Sequence, residues 1–404
     1  MIVHDQILPS LYQLQRIGRI GRIRICDAST ARMRDLVEGA RFREAFPDST
    51  FEAFPPLETS PEEQFPDLYK EVLASAASGD LAVVAVPDHL HERMIRQALE
   101  CDQHVLTVKP LVSTYADGIA IEQLARERGL FVGVEYHKRF DRRALDAKRL
   151  YTEGRFGDFR MGEAKMIEPY AYRHSNFQNW FTKENSDPFT YVGCHYVDLV
   201  QFITGLRPVE VSVRGVEGAF PNGNIGYLWA NGRVVWENGA VLTVSDGLGY
   251  PDQAAGMNDQ GLVMYCEGPD GGAVLKHDDQ YRGVRHGYLA EKADGPTAYR
   301  FVSPDYFRLV PWAGEGLRPV GYGYESIEAL VEAAIEVRSA GESLDAKREA
   351  IDAIDKRGLL ATPANSFYNE LTTEAARMSI LRDGLPVEIQ YDPTPRVALR
   401  GDCK

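Results

Sequence analysis

The hydrophobic pattern of residues 81–110 predicts one strand–helix–strand unit. Residues 81–86 form a continuous apolar run that ends at Pro87, as buried strands of parallel sheets do. The next apolar residues share one helical face: Met94, Ile95, Ala98 and Leu99. A second strand, His104–Val108, delivers Lys109. Because parallel sheets bind ligands at the carboxyl ends of their strands, we expect a site near Pro87 and Lys109.

The flanking segments predict that this unit belongs to a parallel α/β domain over residues 1–135. The predicted elements are a helix from Ile7, Leu8, Leu11 and Leu14, a strand 22–26 ending in Asp27, a helix about 30–45, an irregular segment about 46–67, a helix 115–128 capped by Gly129, and a strand 130–134.

The pattern changes after residue 135, and residues 136–404 predict an α+β domain. Its β-rich runs, separated by Gly, Asn and Pro turns typical of an antiparallel sheet, are 158–168, 207–217, 232–246 and 261–277. A polar aromatic loop (169–190) precedes a helix over about 192–204. Helical patterns return between residues 325 and 382, whereas residues 279–323 predict no element.

Composition excludes several classes of protein. The 404 residues suffice for two domains, and the net charge of −14 argues against nucleic acid as a partner. No apolar run approaches the roughly 20 residues of a membrane span. The five scattered cysteines fit a reducing cytoplasm, and the histidine spacing predicts no metal site.

Several local strings, in order along the chain, resemble the Gfo/Idh/MocA family of NAD(P)-dependent oxidoreductases. They are LAVVAVPDHLH (81–91), HVLTVKP (104–110), KRF (138–140), GCHYVDL (193–199) and ATPANSFYNELTTEAARMSILRDGLPVEI (361–389). The resemblance implies a Rossmann domain followed by a C-terminal α+β domain built on a large open, mostly antiparallel sheet.

The chain departs from the family pattern at three places. Val108 replaces the glutamate of the usual Glu-Lys-Pro, and Tyr191 stands where many members carry an acid. No strand or glycine-rich turn precedes the first helix, since Gly18 and Gly21 follow it. We therefore expect an N-terminally truncated Rossmann sheet, with roughly 10–20 residues missing. An authentic N-terminus at Met1, measured by intact mass, would instead indicate a naturally short chain.

The resemblance implies catalytic roles for Lys109 and His195, with Tyr191 assisting. A desolvated lysine near a nicotinamide ring can take a hydroxyl proton, and a histidine near neutrality can share that transfer. Tyr191 supplies a phenol, which is a donor and not a base at neutral pH. Without the resemblance, a surface lysine, a backbone-bonded histidine and a packed aromatic residue would explain the three residues.

Four residues are expected to bind the cofactor: Asp27, Pro87, His91 and Lys109. An acid at the end of the second strand binds the adenosine ribose hydroxyls and repels a 2′-phosphate, so Asp27 favours NAD. Arg32 lies close to Asp27 in the sequence, so NADP is kept as an alternative cofactor. A helix N-cap is the alternative role for Asp27.

The expected substrate-binding residues combine aromatic platforms with polar and charged groups: Tyr136, Arg139, Tyr170, Arg173, Trp180 and Asp198. Such groups suit a sugar or cyclitol, although clusters of this kind also occur at subunit interfaces. The leading hypothesis is therefore an NAD(P)-dependent oxidoreductase acting on a sugar, cyclitol or related polyol. The alternatives are an NAD-dependent glycoside hydrolase of the same fold and a non-catalytic binding protein. A homodimer or homotetramer is expected by resemblance.

Overall fold

The computed structural model describes residues 2–254, 258–268, 271–278 and 305–401. The N-terminal part contains the strands β1 (Arg24–Cys26), β2 (Glu52–Phe54), β3 (Leu81–Val84), β4 (His104–Val108) and β5 (Val132–Glu135). Its helices are α1 (Leu8–Arg16), α2 (Ala31–Glu38), α3 (Ala40–Ala45), α4 (Leu68–Ala74), α5 (His91–Glu100) and α6 (Tyr115–Arg128).

All strand pairs in the N-terminal part are parallel, as the sequence predicts. β1 pairs with β2, and β3, β4 and β5 pair in that order. Within the described ranges no strand is hydrogen-bonded to both β1 and β3, so the Rossmann-type arrangement consists of two small sheets. In the described chain ahead of α1, Val3–Ile7 forms a π-helical turn.

Helix α1 connects the two sheets through apolar contacts on two sides. Leu14, together with Ile7 just before the helix, belongs to a buried cluster that includes Leu106 of β4. Leu8 and Tyr12 belong to a second cluster, with Phe42 and Phe46 near β1. The predicted helical spacing of Ile7, Leu8, Leu11 and Leu14 is confirmed, and it places one helix against both halves of the domain.

The C-terminal part is built on an eight-stranded sheet. Its elements up to the first C-terminal helix are α7 (Arg142–Thr152), β6 (Asp158–Pro169), α8 (Phe177–Trp180), α9 (Cys194–Thr204), β7 (Pro208–Ala219), β8 (Ile225–Trp236), β9 (Val241–Tyr250), β10 (Asp259–Gly268), β11 (Gly271–Asp278), β12 (Arg308–Pro311) and β13 (Leu317–Val320). The remaining elements are α10 (Tyr322–Ser339), α11 (Leu344–Arg357), α12 (Pro363–Ser366), α13 (Tyr368–Ile380), β14 (Val387–Gln390) and β15 (Arg396–Leu399).

The strand order of the large sheet is β11-β10-β6-β9-β8-β7-β14-β15. Each neighbouring pair is antiparallel except β6 and β9, which run parallel. The prediction of a large, mostly antiparallel sheet is therefore confirmed. Strands β12 and β13 form a separate hairpin.

Two predicted β runs were wrong in their boundaries because each contains a chain reversal. The run 232–246 is split between β8 and β9 by a turn at Asn238-Gly239, where Gly239 has a φ of +82°. The run 261–277 is likewise two antiparallel strands, β10 and β11. The segment 46–67, predicted to be irregular, contains the three-residue strand β2.

One face of the large sheet carries the core of the C-terminal part. Helices α9 and α13 pack Val197, Val200 and Leu371 against sheet residues such as Trp236 and Leu242, all of them essentially buried. Helix α10 instead packs on the N-terminal part, where Leu330 and Val331 join the cluster of Leu106 and Phe131. The helices after residue 321 therefore contribute to both cores. The domain limit at residue 135 stays a prediction.

Two glycines in the segment between α7 and β6 offer a test of how closely that segment approaches β10. Gly154 and Gly157 both have a positive φ, of +73° and +71°. A Cβ at Gly157 would lie 2.3 Å from the carbonyl oxygen of Glu267, whereas one at Gly154 would meet nothing within 4 Å. Gly154→Ala should lower the free energy of unfolding by about 1 kcal/mol. Gly157→Ala should cost about 1–3 kcal/mol more, because it adds a backbone clash to the same strain.

Urea unfolding of the two variants measures this difference. Equal losses of stability in Gly154→Ala and Gly157→Ala would contradict the close approach of β10 to Gly157.

Candidate functional site

The candidate site lies where the carboxyl ends of β3, β4 and β5 face helix α9. Pro87 follows β3, Lys109 directly follows β4, and Glu135 is the last residue of β5. Opposite them, a π-helical turn over Phe189–Gly193 leads into α9, which begins at Cys194 and carries His195 in its first turn. The sequence prediction of a site at the end of β4 therefore corresponds to a junction between the two parts of the chain.

Lys109 reaches across this junction to the turn before α9. Its Nζ donates a hydrogen bond to the carbonyl oxygen of Tyr191 and lies 3.9 Å from the centroid of the Tyr191 ring. A carbonyl oxygen and an aromatic face both favour a positive charge. These two contacts therefore hold the Lys109 side chain as a hydrogen-bond donor at the centre of the site.

Tyr191 is held by aromatic neighbours and stays protonated. Its ring meets those of Phe177, Trp180 and Phe181 at centroid distances of 5.1, 5.8 and 5.6 Å. Burial, followed by the nearby carboxylates of Asp88 and Glu168, raises the pKa of Tyr191 well above 10. The phenol can therefore donate a hydrogen bond, and it cannot act as a base near neutrality.

His195 is a buried, neutral imidazole. It is 3% exposed, and its Nδ1 has no hydrogen-bond partner among the described residues. Burial lowers the pKa of His195 well below 6.5, and the neighbouring His137, Lys109 and Lys138 lower it further. A neutral ring with a free nitrogen suits a hydrogen bond to a substrate hydroxyl.

One residue that the sequence analysis did not assign to the site, His137, lies directly beside His195. His137, in a short 3₁₀ turn after β5, lies with its ring centroid 4.7 Å from that of His195. Its Nδ1 lies 2.9 Å from Oε2 of Glu135. In the sequence, the available signal for His137 was its place in the string Glu135-Tyr136-His137 at a strand end. The hydrogen bond between Glu135 and His137 became visible only in the fold.

Glu168 supplies a carboxyl group to the site, although Tyr191 stands at the position where many members of the resembled family carry an acid. It is 5% exposed on β6, and Asn258 donates to its Oε1 over 3.4 Å. Burial raises the pKa of Glu168, while Lys109 and Lys138 oppose that rise. The nearby Lys138 is itself buried and donates to Gln260 over 2.7 Å. Glu168 sits at a buried position of an alternating strand, which was the sequence signal for it.

The aromatic loop after β6 contributes to the site unequally. Trp180 packs on Tyr191, the ring that Lys109 also contacts. Tyr170 is 44% exposed and lies 4.7 Å from the guanidinium of Arg173, which donates to the Leu248 carbonyl oxygen. No contact joins Tyr170 or Arg173 to Lys109 or His195 in the described part of the chain. Tyr136, which is 2% exposed, meets the His195 ring edge-on at 6.0 Å.

The structure places Arg139 and Asp198 in a different role from the expected substrate binding. Two hydrogen bonds of 2.8 and 2.6 Å join the guanidinium to the carboxylate, and Tyr368 and Asn369 of α13 also donate to Asp198. Arg139 is 2% exposed and Asp198 1% exposed. Because these charged groups are paired with each other inside the protein, we reassign them to holding together α9, α13 and the 3₁₀ turn after β5. Asp198 consequently does not orient the His195 ring.

His91 also acts inside the protein. It is completely buried, and its two ring nitrogens lie 2.6 and 3.0 Å from the carbonyl oxygens of Pro110 and Val86. It therefore ties the chain after Lys109 to the chain before Pro87. His91 therefore positions the site by holding the backbone on both sides of it. Because both ring nitrogens are engaged in these contacts, neither is free for the expected direct hydrogen bond to a cofactor.

The described residues fit part of an NAD molecule. Asp27 follows β1 and accepts a hydrogen bond from the Ser29 amide at 3.2 Å, which leaves its other oxygen for a ribose hydroxyl. Pro87 and Lys109, which the sequence predicts to lie at the nicotinamide end, follow β3 and β4 at the same edge of their sheet. Among residues 2–17, no glycine-rich turn precedes α1 to hold the pyrophosphate. The fit covers the two ends of the cofactor and not its middle.

Comparison with known families identifies the family to which the chain belongs. A model described as "Oxidoreductase family, NAD-binding Rossmann fold" matches residues 17–136, and one described as "GFO/IDH/MocA C-terminal domain" matches residues 144–260. Together they cover more than half of the chain. The protein belongs to the Gfo/Idh/MocA family.

Two curated relatives are named as inositol dehydrogenases. Inositol 2-dehydrogenase 1 of Saccharopolyspora erythraea is 34% identical over 143 residues, which are 35% of this chain and 40% of that protein. The scyllo-inositol 2-dehydrogenase (NADP(+)) IolW of Bacillus subtilis is 26% identical over 31% of this chain and 35% of its own length. The chain thus matches less than half the length of these relatives.

Solved structures share the fold over nearly the whole chain. Scyllo-inositol dehydrogenase from Lactobacillus casei, solved with bound NAD(H) and scyllo-inositol, is 15% identical with a TM-score of 0.57, over 95% of each chain. Myo-inositol 2-dehydrogenase from Lactobacillus plantarum is 14% identical with a TM-score of 0.58, again over 95% of each. At these identities the likeness confirms the architecture alone.

Two searches of the described residues were negative. No cluster of three or more His, Cys, Asp or Glu side chains there has the arrangement of a metal site. No helix in the same ranges is long and apolar enough to span a membrane.

The reassignment of Arg139 can be tested by stability. Arg139→Met leaves the Asp198 carboxylate buried without its cation, which should lower the free energy of unfolding by about 3–5 kcal/mol. Arg142→Met is the matched control, since Arg142 meets Glu325 over 3.4 Å with its side chain 87% exposed. The control should change stability by less than about 0.5 kcal/mol. Urea unfolding measures both, and an Arg139→Met variant of unchanged stability would return Arg139 to the substrate site.

Proposed function

We propose that this protein is an NAD-dependent oxidoreductase that transfers hydride between the cofactor and a CH–OH group of a cyclitol, sugar or related polyol. The observation that carries the proposal is the meeting of Lys109, Tyr191 and His195 between the end of β4 and the start of α9. In a member of this family, that place unites a cationic donor, a phenol and a neutral imidazole.

The chemistry of the site supports a polyhydroxylated substrate. Lys109, Tyr191 and His195 offer donors and an acceptor at one place, with Lys138 and the Glu168 carboxyl beside them. Trp180 adds an aromatic face next to Tyr191. Several hydrogen-bonding groups around an aromatic surface suit a ring that carries many hydroxyls. The names of the curated relatives favour an inositol among such rings.

NAD is the cofactor that Asp27 favours. A carboxylate at the end of β1 accepts hydrogen bonds from ribose hydroxyls and repels a 2′-phosphate. A relative is named for NADP(+), so NADP stays a second candidate. When bound, the cofactor supplies a nicotinamide ring that accepts or donates hydride.

The residues of this chain bind and orient the reacting group. The Lys109 ammonium and the Tyr191 phenol donate hydrogen bonds to the reacting oxygen, which stabilises negative charge on it during hydride transfer. His195 holds the same hydroxyl through a ring nitrogen. Lys109 and His195 therefore both contact the reacting oxygen, and this shared contact is part of the proposal.

Activity measurements with NAD and a panel of cyclitols and sugars test this function. We expect NADH to form with at least one of them. Lys109→Met should lower kcat by about 10²–10⁴-fold, as the loss of a group that binds the reacting oxygen does, with NAD affinity retained in calorimetry. Lys165→Met is the control, because Lys165 lies on β6 in an exposed ion pair with Asp259. Full activity of Lys109→Met, or no NADH from any substrate despite bound NAD, would contradict the proposal.

We further propose that the chain forms a homodimer or homotetramer through the outer face of the large sheet. The supporting observation is a patch of exposed apolar side chains on that face: Met161, Val216, Trp229, Tyr265 and Val274, each at least 38% exposed. Tyr265 is in register with Met161 on one side and Val274 on the other. Val216 and Trp229 pair with each other further along the sheet. Exposed apolar groups of this kind typically mark a protein contact.

A charge at the centre of this patch should weaken assembly. Tyr265→Glu is expected to shift the protein toward the monomer in analytical ultracentrifugation, because the carboxylate would be buried without a partner in the interface. Leu381→Glu is the control, since Leu381 is 52% exposed at the end of α13, away from the patch. An unchanged mass for Tyr265→Glu would exclude this face.

We also infer a cytoplasmic location. The support is that Cys26, Cys101, Cys194 and Cys266 carry free thiols, as proteins of reducing compartments do.

A further inference from the structure

Glu135 and His137 form a buried carboxylate–imidazole pair that the proposed function has not used. Oε2 of Glu135 accepts from Nδ1 of His137 over 2.9 Å, and Oε1 accepts from Gln6 and Ser326 over 2.8 Å each. Glu135 is 2% exposed and His137 9% exposed. Three hydrogen bonds therefore fix this carboxylate, and they set Nδ1 of His137 as the donor, which leaves Nε2 as the nitrogen that can accept a proton.

The His137 ring is held in place by aromatic rings and faces His195. Tyr322 of α10 stacks on it at 5.7 Å with an interplanar angle of 21°, and Tyr306 lies at 5.1 Å. His195 of α9 lies at 4.7 Å, and Lys138 is the next residue along the chain. Of the groups in contact with His137 in the described ranges, Glu135 is the one that carries a carboxylate. The two imidazole rings are therefore direct neighbours in the site.

Three other groups of the site, namely His195, Lys109 and Tyr191, are poor acceptors for the proton that oxidation releases. His195 has no carboxylate partner, and its pKa is lowered by burial and by His137 and the two lysines. Lys109 is held as a donor to a carbonyl oxygen, and burial keeps Tyr191 protonated. An imidazolium at His137 would in contrast be paired with a carboxylate that is already in place.

We propose that His137, backed by Glu135, is the catalytic base that takes the hydroxyl proton of the substrate, while His195 holds that hydroxyl. The inference rests on the proposed function and names the proton acceptor within the same site. Glu135 acts through His137 and is a positioning residue.

The step balances with the nicotinamide as oxidant. The carbinol C–H bond breaks and its electron pair leaves with the hydrogen as hydride to the nicotinamide. The O–H bond breaks and its proton passes to Nε2 of His137, so that a C=O bond forms. The imidazolium is then paired with the Glu135 carboxylate until the proton leaves to water.

Histidine NMR of the protein without substrate or cofactor gives a first test. Titration between about pH 5 and 8 should shift the C2–H resonance of His137, while that of His195 stays at the neutral position. His137→Gln and His195→Gln assign the two resonances. In Glu135→Gln the His137 resonance should move to its neutral position at the same pH. If the position of the His137 resonance changed neither with pH nor in the Glu135→Gln variant, the proposal would be overturned.

Steady-state kinetics with NAD and the best cyclitol or sugar give the second test. His137→Gln should lower kcat by about 10²-fold or more and remove the acidic limb of the pH profile. Glu135→Gln should keep that limb and move it to lower pH, because the carboxylate no longer stabilises the imidazolium. His195→Gln should raise KM and keep the limb. His89→Gln is the control, since His89 is exposed in the turn before α5.

The two tests separate the inference from the function on which it rests. If the wild-type protein oxidises no substrate, the proposed function fails and the inference with it. If the wild-type protein is active and His137→Gln keeps its kcat and pH profile, the inference alone fails. Should His137→Gln not fold, an unchanged pH profile in Glu135→Gln overturns the inference instead.

Discussion

The buried ion pair between Arg139 and Asp198 sets the geometry of the whole site. Arg139 lies two residues after His137, and Asp198 lies three residues after His195 on α9. Their double hydrogen bond therefore fixes the two segments that carry the histidines at one distance from each other. Because removing one partner leaves an uncompensated buried charge, the arrangement is locked once it forms.

This constraint decides which side chains of the site carry charge. The junction buries the rings of His195 and His137 side by side and lets Lys109 reach the turn before α9. Burial and nearby cations keep His195 neutral, whereas His137 has a carboxylate partner. The fold thus separates two chemically identical side chains into a hydrogen-bonding group and a base.

Sequence patterns predicted the elements that carry local signals. The apolar run before Lys109, the helix around His195 and the alternating strands of the large sheet are all present. Sequence patterns did not show that Arg139 would form an ion pair with Asp198. The two residues lie far apart in sequence and meet only when α9 packs against the turn that carries Arg139. The three-residue strand β2 is too short to produce periodicity. Glu168 and His137 were missed because their roles depend on partners from other elements.

The central claim is that the reacting carbon binds between Lys109, His195 and His137. A crystal structure of the protein with NAD(H) and a cyclitol that it oxidises tests this most directly. We predict that one carbinol oxygen lies within hydrogen-bond distance of Lys109 Nζ and of both imidazole rings, with its carbon facing the nicotinamide. A cyclitol bound elsewhere, or a carbinol oxygen that contacts neither histidine, would contradict the account.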